Sequence, residues 1–407
     1  MSKSETHPAP TPTGAGIFSV PGGPAAFALA ATRGAVMSRA AADLEDEVAS
    51  DGRHLLALEG MTRDELLELL VASAREREWL ARGEPNRTTL AGLTVVLAFI
   101  EDSTRTRTSF EIAAQRLGAN VVVFSSAASS LNKGESLLDT VRLFEAMGSS
   151  LVVVRHPSSG APAWLARQLD RMGVINAGDG MHEHPTQGLL DLLTLHDAWE
   201  GRFEGRRLAI VGDIGHSRVA RSAIAGLTTL GARVTVCGPG TLLPADVELL
   251  GCEVAATIED ALAGADAAMA LRLQRERMER ALLPSFGEYA RVWGLSPERI
   301  ALMAPHAVVL HPGPVNRGVE LAHAVADGLR ARILAQVANG VAVRCAVLQR
   351  CADATRRAPL PPSLSSSRAS GTLDPVPAQP AQPAQPVTAQ PVTARPVTSG
   401  PAAPGGR

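Results

Sequence analysis

The chain has 407 residues, a formal net charge of −2, 45% apolar and only 3% aromatic residues. At about 150 residues per domain that predicts two or three domains, and the balanced charge offers no basic field to draw nucleic acid or a membrane surface. No apolar run approaches the ~18 residues of a spanning helix, and no N-terminal stretch reads as a secretory signal. Residues 24–41 are mildly amphipathic in the way of a transit peptide. Asp43, Glu45, Asp46 and Glu47 follow at once, however, and such peptides are poor in acid. The four cysteines, Cys237, Cys252, Cys345 and Cys351, form no C-x-x-C pair and have no histidine at zinc spacing. They are expected as buried free thiols in a reducing cytoplasm.

Residues 1–50 read as an N-terminal extension, mostly disordered, with a helix near 36–49. Thr62 to Glu65 is a capping box opening an amphipathic helix over 63–81. Strand 93–100, helix 109–117, strand 120–124, helix 135–147 and strand 150–154 follow. Helix 165–172, strand 174–176 and a long helix over 188–200 complete a first series. A second series runs through strand 207–212, helix 217–230, strand 232–237, strand 253–257, helix 258–263, strand 266–271 and strand 306–310. Helices near 319–326 and 328–348 close it. Strands alternating with helices imply parallel sheets covered on both faces. Two series imply an α/β protein of two doubly wound parallel-sheet domains, with ligands at the carboxyl ends of strands and between the domains. The expected division is 51–185, completed by a C-terminal helix over 327–355, and 186–326. From Ala358 onward the chain holds 12 of its 28 prolines in a degenerate A-Q-P and P-V-T repeat. Proline denies backbone donors and holds the chain near polyproline II, so 356–407 is expected as a disordered tail.

The sharpest chemistry lies in Glu101-Asp-Ser-Thr-Arg-Thr-Arg-Thr-Ser109, between a buried strand and a helix. A helix N-terminus supplies free N–H groups and a positive dipole end, which suit an anion. Ser103, Thr104 and Thr106 add hydroxyls, and Arg105 a fork matched to phosphate. The segment is neither a Walker loop nor a dinucleotide fingerprint. Arg155 ends a strand in V-R-H-P. His184 stands in H-P-T-Q, where a helix starts, and can donate to a carbonyl oxygen. In the second half, Arg218 begins a helix after D-I-G-H-S, which lacks G-x-G-x-x-G. Arg272 and Gln274 share a face if extended geometry persists. His311-Pro-Gly-Pro314 turns sharply after a strand, leaving carbonyls to accept from a ligand amide. Of 39 basic residues, 37 are arginine, and Lys133 is the one lysine after residue 3. A compact point charge kept against that bias hints that arginine is not accepted there.

Taken together, S-T-R-T-R at 103–107, V-R-H-P at 154–157, H-P-T-Q at 184–187, L-R-L-Q at 271–274 and H-P-G-P at 311–314 resemble the aspartate carbamoyltransferase catalytic-chain family. The resemblance covers residues 52–352, with the motifs in the family's order. It implies transfer of a carbamoyl group from carbamoyl phosphate to L-aspartate in pyrimidine synthesis, with no metal and no covalent intermediate. It gives residues 51–185 to carbamoyl phosphate and 186–326 to aspartate. Ser103, Thr104, Arg105 and Thr106 would hold the phosphate, with Arg155. Thr106, Arg155 and His184 would polarise the carbamoyl carbonyl. Gln187 and the carbonyls of Pro312 and Gly313 would hold its amino group. Arg218, Arg272 and Gln274 would clamp aspartate. Ser130 and Lys133 resemble a loop inserted into a neighbouring subunit's site, which implies a homotrimer with shared active sites at the subunit interface.

The nearest rival is ornithine carbamoyltransferase, whose family shows H-C-L-P and an S-M-G loop where this chain has H-P-G-P and R-L-Q. An arginine clamp would repel a second cation, so aspartate is favoured. A non-catalytic homologue would carry a degenerate phosphate loop, Lys133 or His184, and all are intact. The N-terminal extension and P-V-N-R-G-V-E at 314–320 resemble chains that assemble with a dihydroorotase or dihydroorotase-like partner.

Overall fold

A computed structural model describes residues 52–125, 136–273 and 285–358. The N-terminal extension and the helix expected near 36–49, the tail beyond 358, Ser130, Lys133 and Gln274 lie outside the described residues.

The first series folds as α1 (Arg63–Ala81), β1 (Thr94–Phe99), α2 (Thr104–Arg116), β2 (Asn120–Ser125), α3 (Leu137–Ala146), β3 (Leu151–His156), α4 (Ala161–Ala166), β4 (Gly173–Asp179) and α5 (Pro185–Ala198). Its four strands form a parallel sheet in the order β2-β1-β3-β4. The second series comprises β5 (Arg207–Val211), α6 (Arg218–Thr229), β6 (Arg233–Cys237), β7 (Glu253–Val254), α7 (Ile258–Leu262), β8 (Ala267–Ala270), α8 (Phe286–Trp293), α9 (Pro297–Ile300), β9 (Val308–Leu310) and α10 (His323–Ala326). Its parallel sheet runs β7-β6-β5-β8-β9. The expected doubly wound architecture is thus present in both halves. The last helix, α11 (Ile333–Arg357), returns to pack on α1, α2 and α5 of the first half.

Both sheets are covered on two faces, which is why their strands read as unbroken apolar runs. Val95, Leu97 and Phe99 face a core shared with α1, α2, α5 and α11, while Val96 and Ala98 face another beside Val141 and Leu165. All four cysteines are free and buried. Among the described residues no helix is long and apolar enough to cross a membrane.

Several element bounds differ from expectation, each for a local reason. Helix α2 starts at Thr104 rather than 109, because its first turn is polar and carries no apolar period. Helix α5 starts at Pro185 rather than 188, since proline is tolerated in a helix's first turn, where its missing N–H costs nothing. The same rule places α4 at 161–166, with Pro162 in its first turn, rather than at 165–172. Helix α11 runs to Arg357, beyond the expected 348. Helices α8 and α9 were not expected. Their signals were Ser285 and Ser296, which cap them by accepting from the N–H of Glu288 and Arg299.

Each sheet reverses its winding direction at one point, between β1 and β3 in the first and between β5 and β8 in the second. The crevice at the carboxyl ends of such strands is where this architecture places ligands. The segments leaving those four strands are Glu101–Thr106, Arg155–Pro157, Asp213–Arg218 and Leu271–Leu273.

Candidate active site

Those segments meet. One cavity of about 430 Å³ is lined by Ser103, Thr104, Arg105, Thr106, Arg155, His184, Gln187, Arg218, Arg272, Pro312 and Gly313. Every sequence-expected site residue that the structure describes therefore contributes to a single cleft. Five guanidinium groups line it (Arg105, Arg155, Arg218, Arg272, Arg344) against two carboxylates, Glu101 and Asp102. That excess of positive charge, partly shielded from water, suits a ligand carrying several negative charges.

Ser103 precedes α2 in extended conformation, and its side chain makes no capping bond to the helix. The first-turn N–H groups therefore receive no cap from Ser103, at a helix end whose residues line the cleft. Burial lowers the Arg105 pKa, and the nearby Arg272 guanidinium lowers it further. Two cations held close repel, and an anion between them relieves the repulsion. The approach of Arg105 to the H-P-G-P turn also fixes a glycine. Gly313 has φ +63°, and a β-carbon there would collide with the Arg105 guanidinium.

Arg155 is buried, donates to the Ala177 carbonyl at 3.0 Å and to Glu101 at 2.6 Å. Arg218, at the first position of α6, donates to both oxygens of the same Glu101 carboxylate. Glu101 thus joins the β1–α2 connection of one half to α6 of the other. Gly178 makes room for this pairing. With φ +113°, its β-carbon would lie 2.9 Å from Arg155 Nη1 and 3.1 Å from Arg218 Nε.

His184 sits at the N-cap of α5, 4% exposed, and its backbone N–H donates to Ser222 at 2.8 Å. Burial holds its pKa well below the usual histidine value, and Arg155, Arg218 and Arg344 push it further down. The ring is therefore neutral near pH 7 and offers one N–H donor without adding a cation. This depression makes a stability prediction. Below pH 6.5 the unfolded chain binds a proton that folded His184 refuses, so stability is lost as pH falls. Replacing His184 with Gln removes that loss. Chemical denaturation between pH 7 and 5 should show the variant gaining on wild type by up to about 1.4 kcal/mol per pH unit. A pH-independent difference would place a protonated imidazole in the folded protein.

Three charged or polar residues that line this cleft, Glu101, Gln336 and Arg344, were not singled out from the sequence, nor was Asp191, which bonds to Gln187 and Gln336. Glu101 carried a faint signal, an acid directly before an anion-binding turn. The other three lie on helices among core-facing residues, and nothing local distinguishes them.

Known proteins match this architecture. Residues 53–197 fit the model of the aspartate/ornithine carbamoyltransferase carbamoyl-P binding domain, and residues 204–351 that of the Asp/Orn binding domain. The chain is 54% identical over 299 residues to an aspartate carbamoyltransferase catalytic subunit of Myxococcus xanthus, covering 74% of this chain and 99% of the relative. The corresponding subunit of Moorella thermoacetica is 52% identical over 296 residues, covering 73% and 96%. Among solved structures, an aspartate transcarbamoylase from Trypanosoma cruzi in complex with carbamoyl aspartate and phosphate aligns with a TM-score of 0.66 at 31% identity, covering 74% and 96%. An ornithine carbamoyltransferase from Pyrococcus furiosus aligns at 0.65 with 25% identity, covering 73% and 96%. With both domain models matched in order over most of its length, the chain belongs to the aspartate/ornithine carbamoyltransferase family.

Proposed function

We propose that the chain transfers the carbamoyl group of carbamoyl phosphate to the amine of L-aspartate, giving N-carbamoyl-L-aspartate and phosphate, in de novo pyrimidine synthesis. The observation that carries this reading is the cleft in which the α2 N-terminus, neutral His184 and five arginines converge. The substrates named for the Trypanosoma cruzi structures, carbamoyl phosphate and aspartate, match that charge.

The phosphate sits on Ser103, Thr104, Arg105 and Thr106, with Arg155 beside it. Thr106, Arg155 and His184 donate to the carbamoyl oxygen. Gln187 and the carbonyls of Pro312 and Gly313 hold the amino group. Arg218, Arg272, Gln274 and Lys133 take the aspartate carboxylates. The uncharged amine attacks the carbamoyl carbon and a C–N bond forms. The C–O bond to phosphate then breaks, the electron pair leaves with phosphate, and the amine's proton passes to it. Charge grows first on the carbamoyl oxygen and then on phosphate, and fixed donors stabilise both without reorganising. Arginine at both ends of the site disfavours ornithine, whose second amine is cationic. Production of carbamoyl aspartate, measured beside an ornithine arm, tests the reading; turnover of ornithine without aspartate overturns it.

Residues 51–185 with 327–355 form the carbamoyl phosphate domain in this reading, and 186–326 the aspartate domain. Ser130 and Lys133 reach a neighbour's site in a cytoplasmic homotrimer, and a dihydroorotase-like chain joins a larger assembly. Lys133→Arg should lower kcat by about 10²-fold, because a broader guanidinium misplaces the loop and a small displacement at the reacting centre costs that much. Near-normal turnover with Lys133→Arg, or an active monomer by mass photometry, counts against the shared site.

A further inference from the structure

Asp191 lies one turn beyond Gln187 on α5, is 1% exposed, and is not itself among the residues that line the cleft. Its Oδ1 accepts from Gln187 Nε2 at 3.0 Å and from Gln336 Nε2, reaching across from α11, at 2.7 Å. The Gln336 Oε1 in turn accepts the backbone N–H of His311 at 3.0 Å, directly before Pro312 and Gly313. An ionised carboxylate can only accept, so both glutamines turn their NH2 ends toward Asp191, and the His311 N–H holds Gln336 in that orientation independently. For Gln187, a cavity-lining residue, that leaves the carbonyl end for the ligand. Burial pushes the Asp191 pKa up to about 7, while the bonds from Gln336 and Gln187 and the buried Arg344 guanidinium on α11 draw it back toward the ionised acceptor, which prevails above pH 7.

We propose that Asp191 is a positioning residue that fixes which end of the Gln187 amide faces the substrate, and so makes the site select a carbamoyl NH2 over a methyl group of the same size. Without it the amide can flip and present its NH2, which a carbamoyl amino group cannot bond. The same carboxylate holds Gln336 on the turn carrying the Pro312 and Gly313 carbonyls. One buried acid thus aligns acceptors from α5 and from the β9 turn. The inference rests on the carbamoyl phosphate reading above.

The test compares dissociation constants for carbamoyl phosphate and for acetyl phosphate, which carries CH3 in place of NH2, by calorimetry. Wild type should prefer carbamoyl phosphate by about tenfold or more, the scale of a hydrogen bond lost in a partly buried site. Asp191→Leu should abolish that preference by weakening carbamoyl phosphate while leaving acetyl phosphate within about threefold. Asp191→Asn keeps an acceptor oxygen and should retain the preference. In a Gln187→Met background, Asp191→Leu should change the ratio less than it does in wild type, since only the route through Gln336 remains. If Asp191→Leu fails to fold beside an uncompensated Arg344, Asp191→Glu keeps the charge but advances the oxygen by one methylene. It should lower the ratio about threefold or more. An unchanged ratio in both Asp191→Leu and Asp191→Glu, or equal weakening of both ligands, overturns the proposal; so does a wild type without preference. A wild type that binds neither acyl phosphate overturns the carbamoyl phosphate reading itself.

Discussion

Arg105→Ala should lower kcat by roughly 10³-fold, the scale of removing a preorganised donor or a guanidinium from a charged transition state. Arg105 occupies the second position of α2 and lines the cleft beside the first-turn N–H groups. Its guanidinium also lies close against Gly313 of the H-P-G-P turn. Charge on phosphate is greatest as the C–O bond breaks, so the loss should fall more on kcat than on the KM for carbamoyl phosphate. Folding should survive. Burial and then repulsion from Arg272 both lower the Arg105 pKa, so the substitution removes an unfavourably placed cation and Tm should not fall. Arg105→Lys should recover about tenfold, because a point charge replaces the fork without its second donor. Steady-state kinetics with both variants and a thermal melt check this; a kcat within tenfold of wild type would move the leaving phosphate off this helix end.

The split between what sequence revealed and what it concealed follows from the range of the interactions. Helix α1 was legible to the residue because its signal is local. Thr62 accepts from the Glu65 N–H while Glu65 accepts from the Thr62 N–H, three residues apart. The buried strands were legible because covering a parallel sheet on both faces demands unbroken apolar runs. The cleft-lining turn at 101–106 stood out because its polar chemistry is concentrated in consecutive residues. The start of α2 was not, since a first turn given over to binding shows no apolar period. The supporting shell was hidden for a different reason. Glu101 meets Arg218 across 117 positions, and Asp191 meets Gln336 across 145. No window of sequence contains both partners, so each appears as an ordinary polar residue in an apolar helix or a loop.

Glu101→Ala should produce the largest combined loss of stability and activity, and the two should be separable by ligand. Its carboxylate is 16% exposed between Arg218 and Arg155, whose side chains are 6% and 11% exposed. Removing one member of a buried ionic group leaves the rest uncompensated at a cost of 3–5 kcal/mol; with some solvent access, about 1–3 kcal/mol is expected here. Because Glu101 also ties the first half to α6, Arg218 loses its anchor, and kcat/KM for aspartate should fall by about 10²-fold through misplacement of the clamp. An anion entering the cleft can substitute for the missing carboxylate. Inorganic phosphate or a bisubstrate phosphonate should therefore raise the Tm of Glu101→Ala more than that of wild type. Glu101→Gln, which keeps an acceptor but not the charge, should fall between the two. An equal ligand-induced shift in variant and wild type would mean that the arginines are held by the surrounding backbone and that Glu101 does not compensate them. A preferential shift would mean that the empty site stores its arginines against an internal carboxylate, which the substrate's own negative charge partly relieves on binding.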